Sequence, residues 1–124
     1  MANHYSLKLR HPTLDLSLIA QRIPLVVTRI WRFGDSRFTP DGVPLPGRYK
    51  DSYCIFKFPE KIESIKEAIY FVHNILLGDP GLMKDLMSPS FEKSIYCTLD
   101  GDGEVLAVPE LKTLWSLDIK LEID

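Results

Sequence analysis

The chain has 124 residues, 45% of them hydrophobic and 26% charged, a balance that excludes a disordered segment and fits one domain able to bury a core without staples. No apolar run approaches the roughly 18 residues that span a bilayer, and the opening MANHYSLKLRHP lacks the apolar centre of a secretory signal. A membrane partner is therefore not expected, and the cytoplasm is the expected location. The net charge of −2 conceals a split: ten Lys/Arg against five Asp/Glu in residues 1–62, and five against twelve in residues 63–124. Either the fold carries two opposed patches that steer partners, or its halves interleave and neutralise each other, the expected outcome for an α/β chain of this size.

Residues 5–11, YSLKLRH, alternate Tyr5, Leu7, Leu9 and His11 against Ser6, Lys8 and Arg10, which predicts a strand with one buried face. Pro12 ends it. Thr13 or Asp15 then caps a short helix whose Leu18, Ile19 and Ile23 reach the core before Pro24. LVVTRIWRF, residues 25–33, is β-branched and aromatic and predicts a second strand; YCIFKF at 53–58 predicts a third. From Glu60 to Leu77, with Pro59 at its start, Ile62, Ile65, Ile69, Val72 and Leu76 recur at helical spacing. A further helical turn is expected over 82–87. FEKSIYCTL at 91–99 and EVLAV at 104–108 flank DGDG and read as a hairpin. A short helix over 109–115 and a closing strand through Leu117, Ile119, Leu121 and Ile123 complete the order β-α-β-β-α-β-β-α-β. That order predicts a single α+β domain spanning residues 1–124, with an antiparallel or mixed sheet and helices packed on one face. A ferredoxin-like core with an added hairpin is the preferred topology.

Chemistry is sparse. DGDGE at 100–104 begins like an EF-hand loop, but Leu111 stands where that loop needs a bidentate Glu, so the segment reads as a turn. His4, His11 and His73 are too scattered for a metal set, and neither a metal nor another cofactor is expected. Cys54 and Cys97 lie in strand-like segments and read as buried, inert thiols. No nucleophile or phosphate motif appears, so an enzyme is not favoured and no catalytic residue is assigned. Arg29, Arg32, Arg37, Arg48 and Lys50 mix with Trp31, Phe33, Phe38 and Tyr49 as in single-strand binders, yet the pI near 5.9 disfavours nucleic acid.

The runs HPTLD at 11–15, W-R-F-G-D-S-R-F-T-P-D-G-V-P-L-P-G from Trp31 and Y-K-D-S-Y-C from Tyr49, with Pro24 and the helix over 60–77, resemble the bacterial family catalogued as domain of unknown function 4279. The likeness covers nearly the whole chain. It implies a small bacterial cytoplasmic α+β protein and carries over no catalytic residue. Two functions are consistent with these residues. One is a non-enzymatic binding module, an immunity-type protein that neutralises a basic toxin through acidic residues 92–104, with Glu92, Asp100, Asp102 and Glu104 as partner-binding candidates. The other is a small-molecule or nucleotide site built by the 31–53 loop, with His11, Trp31, Asp35, Arg37 and Tyr49 as ligand-binding candidates. A toxin or a second copy of the chain is the expected partner. The 31–53 loop itself is expected to be a rigid crossover, pinned on the sheet by Trp31, Phe33, Phe38 and Tyr53.

Overall fold

Alternation in the first strand decides which side of the molecule is dry. Tyr5, Leu7 and Leu9 are buried on one face, whereas Ser6, Lys8 and Arg10 stay half-buried on the other. The computed structural model describes residues 4–99 and 103–124. Along the chain lie β1 (His4–His11), α1 (Ser17–Arg22), β2 (Val26–Trp31), β3 (Ser36–Phe38), β4 (Pro44–Arg48), β5 (Ser52–Lys57), α2 (Ile65–Leu77), α3 (Pro80–Leu86), β6 (Glu92–Thr98), α4 (Val108–Ser116) and β7 (Ile119–Ile123). Five strands form a mixed sheet in the order β2-β5-β1-β6-β7, and β3 pairs with β4 in a separate two-stranded sheet. Within β2-β5-β1-β6 every neighbouring pair is antiparallel, and helices carry the chain from β1 to β2 and from β5 to β6. That is the ferredoxin-like order, to which α4 and a parallel β7 are appended.

The register carries the alternation across the sheet. Leu7 sits between Phe56 and Ile95, and Leu9 between Cys54 and Lys93. These residues join Leu16, Ile19 and Ile23 around α1, Ile65, Ile69, Val72 and Leu76 of α2, Leu82 and Leu86 of α3, and Leu114 and Leu117 at α4 in one apolar cluster. Lys93 is the exception within that layer. Its ammonium donates to the Leu86 carbonyl at 2.6 Å, satisfying the last turn of α3, and burial holds its pKa below that of an ordinary lysine. The two halves of the chain also interleave: Lys8 pairs with Glu122, and Arg22 with both Asp79 and Asp85.

The structure departs from the expected elements in four places. Leu18 is 72% exposed, and Leu16 takes its place in the core. The main helix begins at Ile65 and not near Glu60, because Ser64 is extended (φ −145°) and its hydroxyl accepts from Glu67 N at 3.1 Å. Pro59 instead opens a turn closed by Ile62 N on its carbonyl. The expected hairpin over 91–108 does not form: residues 104–108 make no strand, and the chain crosses through α4 so that β7 returns parallel to β6. Composition misled here. Val105 is 96% exposed, with no sheet surface to cover. Glu104 has a better use, its carboxylate accepting from Ile65 N at 2.6 Å and from the Tyr5 hydroxyl at 2.7 Å, where a negative charge suits the N-terminus of α2. The added hairpin of the fold is the β3–β4 pair.

Candidate functional site

Residues 31–53 form neither a bare turn nor a plain crossover. Thr39 N donates to Val43 O, Gly42 N to Thr39 O, and Val43 N to the Thr39 hydroxyl, which closes the tip of a β3–β4 hairpin. Gly42 holds φ +86° there, a left-handed conformation that a side chain would strain. At the base, Gly34 N donates to Tyr49 O and Tyr49 N to Asp35 O.

A stack of rings fastens this hairpin to the sheet. Tyr49 lies flat on Trp31 with centroids 4.3 Å apart, and Trp31 in turn meets Tyr53 at 4.4 Å. Phe38 stands edge-on to Tyr49. Arg29 threads the group: its guanidinium sits 4.8 Å from the Trp31 ring and donates to Phe38 O at 2.9 Å. Arg10 covers Tyr53 and pairs with Asp51 at 2.9 Å, and Asp51 also accepts from Trp31 Nε1. Burial raises the Tyr53 phenol, an effect opposed by Arg10. Tyr49 and Tyr53 are both buried, so this stack is an anchor whose rings are mostly spent on each other.

Beyond the stack, the helix-free face of the sheet is a field of alternating charge. Lys8 lies over Tyr96 and pairs with Glu122, and Lys120 pairs with Glu92. Lys8, Arg10, Glu92, Ser94, Lys120 and Glu122 rim a depression of about 100 Å³, too small for a nucleotide.

The ligand candidates do not converge. Trp31 and Tyr49 meet, but as the anchor. Asp35 accepts from Arg32 N, and Arg37 extends over the hairpin to Pro46 O at 3.4 Å. His11 is on the opposite face of the sheet, in line with the core residues of β1. Its Nδ1 accepts from Thr13 N and Leu14 N, which shapes the turn after β1, and its ring meets Phe91 edge-on. Phe33, expected to help pin the loop, is 49% exposed, and Tyr49 holds the place assigned to it. The acidic candidates separate as well: Glu92 lies on the open face and Glu104 caps α2, while Asp100 and Asp102 lie outside the described residues. Sequence reasoning missed Arg29 and Asp51 as parts of the anchor. The Arg29-x-Trp31 spacing, which puts both residues on one strand face, was the available signal.

Both thiols are buried on the dry face, with pKa pushed up to about 12 by desolvation, which makes them inert near neutrality. Among the described residues no group of His, Cys, Asp and Glu is arranged to hold a metal ion, and no helix is long and apolar enough to cross a membrane. No family model matches the chain, and no curated protein or solved structure is significantly similar to it.

Proposed function

We propose that the protein is a non-enzymatic binding module of the immunity type, which neutralises a toxin by protein contact and uses the β3–β4 hairpin as its docking arm. The observation that supports this most is the combination of rigidity and exposure. Every residue of β3 and β4 is exposed, so the hairpin adds little to the core, yet its base is held by the Tyr49–Trp31–Tyr53 stack. An arm ordered before it meets its partner loses little conformational entropy on binding. It offers Phe38, Val43 and Leu45 beside Arg37 and Arg48, a mixture of apolar and guanidinium groups typical of contact surfaces. Over residues 32–50, Arg32, Arg37, Arg48 and Lys50 outnumber Asp35 and Asp41, so a docking arm built here fits an acidic partner surface, in place of the basic toxin expected to meet residues 92–104.

A nucleic-acid reading has less support, because Trp31 lies between two tyrosines and Tyr96 is covered by Lys8, which leaves no platform of free rings on the sheet among the described residues. The small-ligand reading would need the loop candidates to share a cavity. The test is capture of a partner by the native protein and by Arg37→Glu/Arg48→Glu. A single partner, toxic when expressed alone, relieved by co-expression and bound at least tenfold more weakly by the double variant, is the expected result. Equal capture by both proteins, or a captured partner without toxicity, would remove the proposal.

A further inference from the structure

The sheet has one edge that nothing in the described structure blocks. β7 pairs with β6 on its inner side only, and it contains neither proline nor bulge. Asp124 N donates to Cys97 O at 2.9 Å, so the even-numbered peptides of β7 turn toward β6. The amides and carbonyls of Ile119, Leu121 and Ile123 therefore point to the free side, a row of unpaired donors and acceptors.

We infer that this edge pairs with a second copy of the chain, the two β7 strands running antiparallel about a two-fold axis at Leu121. Such a pairing brings Leu121 opposite its own copy and Ile119 opposite Ile123, and these are the residues whose peptides face outward. It also sets Lys120 of each copy opposite Glu122 of the other, on the open face of the sheet. The sequence Ile-Lys-Leu-Glu-Ile is thus complementary to itself in this one register; a shift by two residues in either direction opposes lysine to lysine or glutamate to glutamate. A lone edge lysine is commonly a device against pairing. Here its charge has a matching carboxylate two residues along, and the Lys8–Glu122 and Glu92–Lys120 pairs within each copy would join into one continuous ladder of alternating sign.

Strand pairing of five residues alone falls short of the roughly 1,000 Å² that a specific interface needs. The helix lying on the same edge strand supplies more. α4 packs against β7 and α2, and it leaves Val108, Leu111 and Trp115, spaced i, i+3 and i+7, at 61%, 50% and 86% exposed. A tryptophan left this bare is unusual in a single domain, and each can bury about 150–250 Å² on contact.

The test is analytical ultracentrifugation of the full chain from 1 to 100 µM, with melting temperature followed in parallel. Wild type is expected at twice the monomer mass. Lys120→Glu and Glu122→Lys should each weaken association at least tenfold, and the swap Lys120→Glu/Glu122→Lys should restore most of it, since the inter-copy pairs re-form although both intramolecular pairs are broken. Trp115→Ala, at an exposed position, should weaken association while leaving the melting temperature of the dissociated monomer, in dilute solution, unchanged. A monomeric wild type overturns the inference, as does a dimer indifferent to Lys120→Glu or one that the swap fails to rescue.

Discussion

The two edges of the sheet are built on opposite plans. At β2 the register slips between Val27 and Arg29, leaving Thr28 as an extra residue whose hydroxyl reaches Ile55 O, and the end of the strand carries the anchored hairpin. Bulge and hairpin make poor templates for another strand. At β7 the ladder is regular, the outward peptides are those of apolar residues, and the charges alternate. A sheet that guards one edge and leaves the other self-complementary has a direction in which to assemble. The ferredoxin-like core itself imposes no such difference, since in that core β2 and β6 are the two edges; the inserted β3–β4 hairpin and the appended α4–β7 unit create it.

The guarded edge breaks most readily at its anchor. Trp31→Ala removes the ring between Tyr49 and Tyr53 and the surface under Arg29, and should cost about 2–4 kcal/mol, below the range for a fully buried tryptophan because Trp31 is only half-buried. Urea unfolding measures the loss, and hydrogen exchange locates it. Amides of residues 36–48 should lose protection while those of β7 keep theirs; uniform loss would mean that the stack serves the whole sheet and not the hairpin. At the other edge the corresponding support is Glu104, which ties the crossover toward α4 to both α2 and Tyr5. Glu104→Ala should cost about 1–3 kcal/mol, by leaving the Ile65 amide and the Tyr5 hydroxyl short of a charged acceptor. Glu104→Gln, which keeps the shape without the charge, should recover about half. If Gln is no better than Ala, the carboxylate's charge is the part that matters.

The sequence displayed its strands better than its connections, for physical reasons. β1, β5, β6 and β7 each have one dry face, and a period of two records that fact residue by residue, as with Leu7, Leu9, Ile95 and Ile119. The hairpin left no such record because neither of its faces is buried, so Ser36–Phe38 and Pro44–Arg48 show only turn chemistry. The 104–108 segment left a false one. Its β-branched residues suit a strand, but the Glu104 carboxylate at the start of α2 and Pro109 at the start of α4 decide its path, and the first of these depends on a partner 39 residues back along the chain. Asp118, left-handed at φ +53° between α4 and β7, is equally silent, since a glycine would have announced that corner and an aspartate does not. In the candidate site, Trp31 and Tyr49 were visible as unusual residues, yet that they stack on each other depends on the hairpin's return. The parity of β1 placed His11 correctly on the face of Leu7 and Leu9, but its grouping with Trp31, Asp35, Arg37 and Tyr49 fails because those loop residues do not gather on that face.

Two cysteines report on the two edges separately. Cys54 lies opposite Ile30 of β2, and Cys97 opposite Ile123 of β7. Neither should react with a thiol reagent at pH 7.5 in the native protein, and both should react in denaturant. Trp31→Ala should speed labelling of Cys54 by at least tenfold and that of Cys97 much less; equal acceleration would mean that the edges do not open independently. Alkali gives the same thiols a sign. With folded values of about 12, above the ordinary value for cysteine, each contributes stability that is complete below about pH 8.5 and fades as pH rises toward 12, because only the unfolded chain ionises freely in that window. A melting temperature that climbed through this range would contradict their burial.

The smallest effect on stability belongs to the residue with the largest expected effect on assembly. Lys120 and Glu92 are 3.6 Å apart with side chains 69% and 62% exposed, so their pairing is screened by solvent and its loss should change monomer stability by no more than about 0.5 kcal/mol. Lys120→Glu measured as a monomer, in dilute solution, should unfold within that margin of wild type. If it instead lost several kcal/mol, the charge on β7 would be part of what folds the chain, and the contrast between a guarded edge and a recruiting one would collapse into an ordinary difference in edge stability. Near-neutrality in the monomer together with a tenfold loss of association separates the two roles, since a contact absent from the folded monomer can act only through the second copy.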